Sequence, residues 1–138
     1  MTVTGPVPTA ALGITDAHTH TWIEPVPGTR PGLPALVDQA NIGAELRDFR
    51  ASGGRSLVDC QPGGCGRNGR IMRALSESSD VQIVACTGFH LRQYYPSDAW
   101  IYLHATTAEA ACAYFVEELT VGVRETQSLA EPVLAGFI

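Results

Sequence analysis

The chain has 138 residues, enough for one domain with a buried core, and its 45% hydrophobic and 17% charged residues are ordinary for a globular protein. A formal net charge of -5 and nine scattered arginines, with no lysine anywhere, give no electrostatic footprint for nucleic acid. No run approaches the roughly 18 consecutive apolar residues that a membrane span needs. Residues 1–11 lack the basic and apolar regions of a signal peptide, so the cytoplasm is the expected compartment.

Residues 1–11, with Gly5, Pro6 and Pro8, read as an extended lead-in. Leu12 to Ala17 reads as a short strand that delivers His18 and His20, and a loop with Pro25, Pro27, Gly28, Pro31, Gly32 and Pro34 follows. Ile42, Leu46 and Phe49 recur at i, i+4 and i+7 and predict a helix over 38–51, stopped by Gly53-Gly54. Ser56 to Cys60 is a second strand, Gln61 to Gly69 a glycine-rich turn, and Arg70 to Ser79 a helix packing through Ile71, Met72 and Leu75. Val81 to Cys86 is apolar except for Gln82, as in a strand covered on both faces.

Thr87 to Ala105 reads as a long loop rich in aromatic residues, including Tyr94, Tyr95, Trp100 and Tyr102. Thr106-Thr107-Ala108-Glu109 resembles a capping box and opens a helix ending near Gly122. Its expected buried stripe is Ala108, Cys112, Phe115, Val116 and Leu119. Val133 to Ile138 begins a last apolar strand. The cysteines at 60, 65, 86 and 112 form no Cys-x-x-Cys pair and are read as reduced, structural residues, Cys60 and Cys65 being close enough across their turn to approach each other.

The order β-α-β-α-β-α-β argues for parallel strands joined by right-handed crossovers. A doubly wound sheet and part of an eight-stranded barrel both satisfy it. No G-x-G-x-x-G follows the first strand, and the functional-looking residues follow strands one to three at their C-terminal ends, where barrels place their active sites. The barrel is favoured, with residues 1–138 as one partial barrel domain.

His18 and His20 are the strongest chemical signal. Residues i and i+2 of a strand share a face, so two imidazoles there can grip one metal ion from the same side. The same pattern also describes two partly exposed histidines at a strand-to-loop junction. The Gly63-Gly64-x-Gly66-Arg67-Asn68 loop lacks the Lys-Ser/Thr ending of a P-loop and reads as a turn pinned by Arg67 and Asn68.

Gly13-x-Thr15-x-x-His18-x-His20 resembles the opening signature of the phosphotriesterase family in the amidohydrolase superfamily. It departs at Asp16, where the family usually has an apolar residue, and at Thr19, where it usually has glutamate. The resemblance continues through Glu45-Leu46-x-x-Phe49, Gly53-Gly54-x-Ser56-Leu57-Val58-Asp59 and Gly66-Arg67-Asn68. It extends to Val81-x-Ile83-Val84-Ala85-Cys86-Thr87-Gly88-Phe89, Phe115-x-x-Glu118-Leu119-x-x-Gly122 and Ala135-Gly136-Phe137-Ile138.

The resemblance implies the first half of a TIM-type (β/α)8 barrel and a hydrolase with two divalent metal ions, usually zinc. Such a centre activates a water as hydroxide against a lactone, carboxylic ester or phosphotriester. His18 and His20 would bind one ion. The family's bridging ligand is a carboxylated lysine at the end of the fourth strand, expected directly after Ile138, and its other ligands come from later strands. By the same resemblance His90 stands where an aromatic pocket wall is common, so it either touches substrate or is a solvated loop residue. Asp59 either orients a ligand imidazole from the end of its strand or bonds to loop amides. The expected partner is a small-molecule ester, with no nucleic acid and no membrane, and a homodimer is a candidate assembly. The competing expectation is a truncated, non-catalytic fragment or paralogue that binds metal weakly or not at all.

Overall fold

The computed structural model describes residues 1–138. Three parallel strands lie in chain order in one sheet: β1 (Ile14–Thr19), β2 (Gly54–Asp59) and β3 (Gln82–Ala85). Between them run α1 (Gln39–Ala51) and α2 (Gly69–Ser79), and after β3 come α3 (Trp100–His104) and α4 (Ala108–Thr120). Parallel pairing aligns Thr19 with Asp59, after two register shifts along β1, and Asp59 with Ala85, so the three C-terminal strand ends form one rim.

Local chemistry explains the boundaries. Asp38 accepts the Asn41 amide and caps α1, Asn68 accepts from Arg70 and Ile71 and caps α2, and Thr107 accepts from Ala110 and caps α4. The Phe49 ring of α1 lies directly on the Cα of Gly54, leaving no room for a side chain at the start of β2. Leu46, Leu57, Met72, Leu75, Val81, Ile83 and Ala85 form the core between sheet and helices.

Four expectations change. The lead-in is not merely extended: the Val3 amide donates to the Ile83 carbonyl at 2.8 Å, Val3 is wholly buried, and Thr9–Ala11 is a 3-10 turn. The segment 87–105 is not an unbroken loop, because it holds a 3-10 turn at Arg92–Tyr94 and α3, packed around buried Tyr95 and Ile101. The buried face of α4 is carried by Tyr114 and Glu118, with Phe115 and Leu119 half-buried, whereas Cys112 and Val116 are exposed. The stripe turns because Glu118 must face a buried arginine. Finally, residues 133–138 form only one parallel bridge, Cys86 with Phe137, flanked by hydrogen bonds from Gly136 to Ala85 and from Thr87 to Phe137.

Candidate metal centre

β1 is an edge strand, and its register places the two histidines at the C-terminal rim. Their ring centroids lie 5.7 Å apart with planes at 74°, so both imidazoles serve the same side. His18 is exposed and His20 half-buried. The Nδ1 of His20 is buried without any hydrogen-bond partner, a costly state unless something else satisfies it. Two imidazoles sharing a face, one carrying an orphaned nitrogen, fit part of a divalent metal site. No third histidine, cysteine or carboxylate joins them to make a metal-holding group within these residues.

Asp59 is fully buried below them. Its Oδ2 accepts the Thr21 amide at 2.6 Å and also the Thr21 hydroxyl, and its Oδ1 accepts the Gln61 amide at 2.9 Å. Of the two roles open to it, the structure shows bonds to loop amides. By holding Thr21 it fixes the backbone one residue beyond His20. Burial pushes the Asp59 carboxyl above its usual value, and the bonds from Thr21 and Gln61 oppose that rise.

His90 is half-buried and stacks on Tyr94 with centroids 4.0 Å apart. Its backbone is clamped from both sides: the His90 amide donates to the Tyr95 hydroxyl, and the Tyr102 hydroxyl donates to the His90 carbonyl. Partial burial, and then the nearby His20, hold its imidazole below the usual histidine value. The loop after β3 therefore brings His90 within electrostatic reach of the histidine pair.

A cavity of about 320 Å³ lies along the rim, lined by Cys60, Cys86, Phe89, Phe115, Phe137 and Ile138 among others. All four cysteines are free, and burial pushes the Cys86 thiol up to about 12 and Cys65 to about 11, so neither is a nucleophile at neutral pH.

One constellation escaped the sequence reading. Arg67, buried in the turn after β2, donates to Glu118 of α4 at 2.5 and 3.0 Å and to Glu125 at 2.7 and 2.8 Å. It also donates to the Cys86 carbonyl at 2.6 Å. All five of its bonds hold the rim of β3 against α4 and the turn at Arg124–Thr126. The expectation that Arg67 and Asn68 pin the turn holds, since Asn68 also donates to Glu24. Nothing in the sequence singles out Glu118 from Glu109 and Glu117 on the same helix.

The phosphotriesterase family model matches residues 1–135. The chain belongs to the phosphotriesterase family. Among curated relatives, the phosphotriesterase homology protein of Escherichia coli is 25% identical over 116 residues, 83% of this chain and 38% of its own. A phospho-furanose lactonase of Mycoplasmopsis synoviae is 27% identical over 133 residues, 90% of this chain and 36% of its own. Among solved structures, a resiniferatoxin-binding protein from Rhodobacter sphaeroides superposes with a TM-score of 0.77 at 26% identity, over 99% of this chain and 44% of its own. An organophosphorus hydrolase mutant from Deinococcus radiodurans gives 0.71 at 29% identity, over 98% and 41%. The chain thus spans well under half the length of the phosphotriesterase-family proteins it matches. Its α/β fold is the first half of their TIM-type barrel.

Proposed function

We propose that this phosphotriesterase-family chain supplies the first-strand metal ligands, His18 and His20, of an ester-bond hydrolase acting on a lactone, a carboxylic ester or a phosphotriester. The observation that carries the reading is the pair of imidazoles on one side of the β1 rim, with the His20 Nδ1 buried and unpartnered. Imidazole donors suit zinc, as well as iron, cobalt and nickel. A divalent ion there would make a water acidic enough to act as hydroxide at neutral pH and would polarise the substrate oxygen. His18 and His20 hold one side of that site, Asp59 fixes the segment following His20 through Thr21, and His90 with Tyr94 borders it.

Two imidazoles do not complete a catalytic zinc site, which has three protein ligands. This favours a second, narrower reading for residues 1–138 taken alone: a non-catalytic unit with weak metal affinity, the remaining ligands belonging to later strands of the family barrel. The test is turnover of a lactone, an aryl ester and a phosphotriester by the full-length gene product, beside its His18→Ala, His20→Ala double variant. Metal-dependent turnover of at least one substrate, lost in the double variant, supports the hydrolase. Undiminished turnover in the double variant removes the histidines from the mechanism.

A further inference from the structure

The loop after β1 builds a pocket that the metal reading does not use. Val26-Pro27-Gly28-Thr29 closes as a turn, the Thr29 amide and hydroxyl both donating to the Val26 carbonyl. Proline at the second position and Gly28 at φ +82° are the requirements of a type II turn. Arg30-Pro31-Gly32-Leu33 repeats the pattern, with Gly32 at φ +81°. Paired hydrogen bonds between Ile23 and Leu36 close the base of the loop. Two proline-fixed turns on a closed base make a wall that is formed before any ligand arrives.

The wall encloses a cavity of about 340 Å³, lined by Ile23, Val26, Leu33, Tyr94, Arg30 and Gln61 among others. Its lining is mixed, with apolar surface from Ile23, Val26, Leu33 and the prolines beside the polar Glu24, Thr29, Arg30 and Gln61, and its size is that of a small-molecule site. Gln61 is the informative side chain: it is 4% exposed, and its Nε2 donates to the Cys65 carbonyl at 2.5 Å. That bond fixes the amide, so Oε1 is left as an acceptor without a protein donor on the lining of the cavity. The pocket is tied to the histidine rim by two routes. Asp59 holds both Thr21 and the Gln61 amide, and Tyr94 stacks on His90.

We propose that this cavity is a binding subsite for an apolar arm carrying an N–H or O–H donor, with Gln61 Oε1 as its acceptor. It receives that part of the ester substrate which does not react. The identification of the arm as substrate rests on the hydrolase reading above; the binding itself does not.

The test is titration calorimetry of the full-length gene product with indole, an apolar N–H donor, and 1-methylindole, which lacks the donor. Indole should bind at least about tenfold more tightly than 1-methylindole, since the methylated probe leaves the Gln61 acceptor unpaired. The Gln61→Leu variant should bind both alike, and Leu33→Trp, which fills the cavity from its loop, should weaken both. Binding should survive in the His18→Ala, His20→Ala variant, so failure of the metal reading leaves this result standing. Equal affinities for the two probes, no indole binding, or an unaffected Leu33→Trp variant would overturn the proposal.

Discussion

At the residue scale, the largest single commitment in this molecule is a buried charge cluster away from the histidines. Glu118 and Arg67 have fully buried side chains, with Glu125 partly exposed at the second edge of the guanidinium. Glu118→Gln removes one carboxylate from the guanidinium but leaves the Arg67–Glu125 pair in place, so it should lower stability by about 2 kcal/mol, the scale of hydrogen bonds to a charged group. Denaturant titration at neutral pH measures it. Burial acts to raise the Glu118 carboxyl, but the bonds and charge of Arg67 outweigh it and hold the group below its usual value. A carboxyl depressed in the folded state contributes stability that is present above its unfolded value, about 4.3, and lost as pH falls through the folded one. The wild type should therefore lose stability increasingly below about pH 4, and the Glu118→Gln variant should show a shallower acid limb. The proximity of His18 and His20 was legible in the sequence because two residues separated by one position at the end of a strand stay close, although β1 ends at Thr19 and its pairing shifts between Asp16 and Thr19. The Arg67 cluster was not, because its members stand 51 and 58 positions apart and only the fold brings them together.

At the element scale, the strands and helices that alternate cleanly were legible, and those shaped by long-range polar contacts were not. α1 begins one residue after its capping Asp38 and buries Leu46, with Ile42 and Phe49 half-buried against the core, as its i, i+4, i+7 spacing requires. α4 misleads because its buried face includes a carboxylate, which hydropathy assigns to solvent. The last strand is incomplete because a parallel strand is defined by its neighbours, and residues 133–138 pair only with β3. Gly54 offers a direct check on the α1–β2 junction. A methyl group there meets the Phe49 ring, so Gly54→Ala should cost about 1–3 kcal/mol through a displaced helix, read as a lowered thermal midpoint. The same substitution at Gly53, where nothing lies within reach of a Cβ but φ is +101°, should act through backbone strain alone.

At the scale of the whole molecule, the parallel order of strands, the rim carrying the histidines and the family match describe the first half of a barrel. No helix of the chain is long and apolar enough to cross a membrane. β1 is an open edge whose Ile14 is 68% exposed, and such edges template further pairing. Residues 1–138 expressed alone should therefore self-associate, with light scattering giving a mass above that of a monomer; a strictly monomeric species at high concentration would show that the edge is protected. With His18 and His20 as metal ligands, the metal content of the protein depends on both. Elemental analysis of the purified full-length gene product, beside its His18→Ala, His20→Ala variant, should show bound divalent metal in the wild type. The variant should lose at least one ion per chain while remaining folded. An unchanged metal content in a folded double variant would show that neither histidine is a metal ligand.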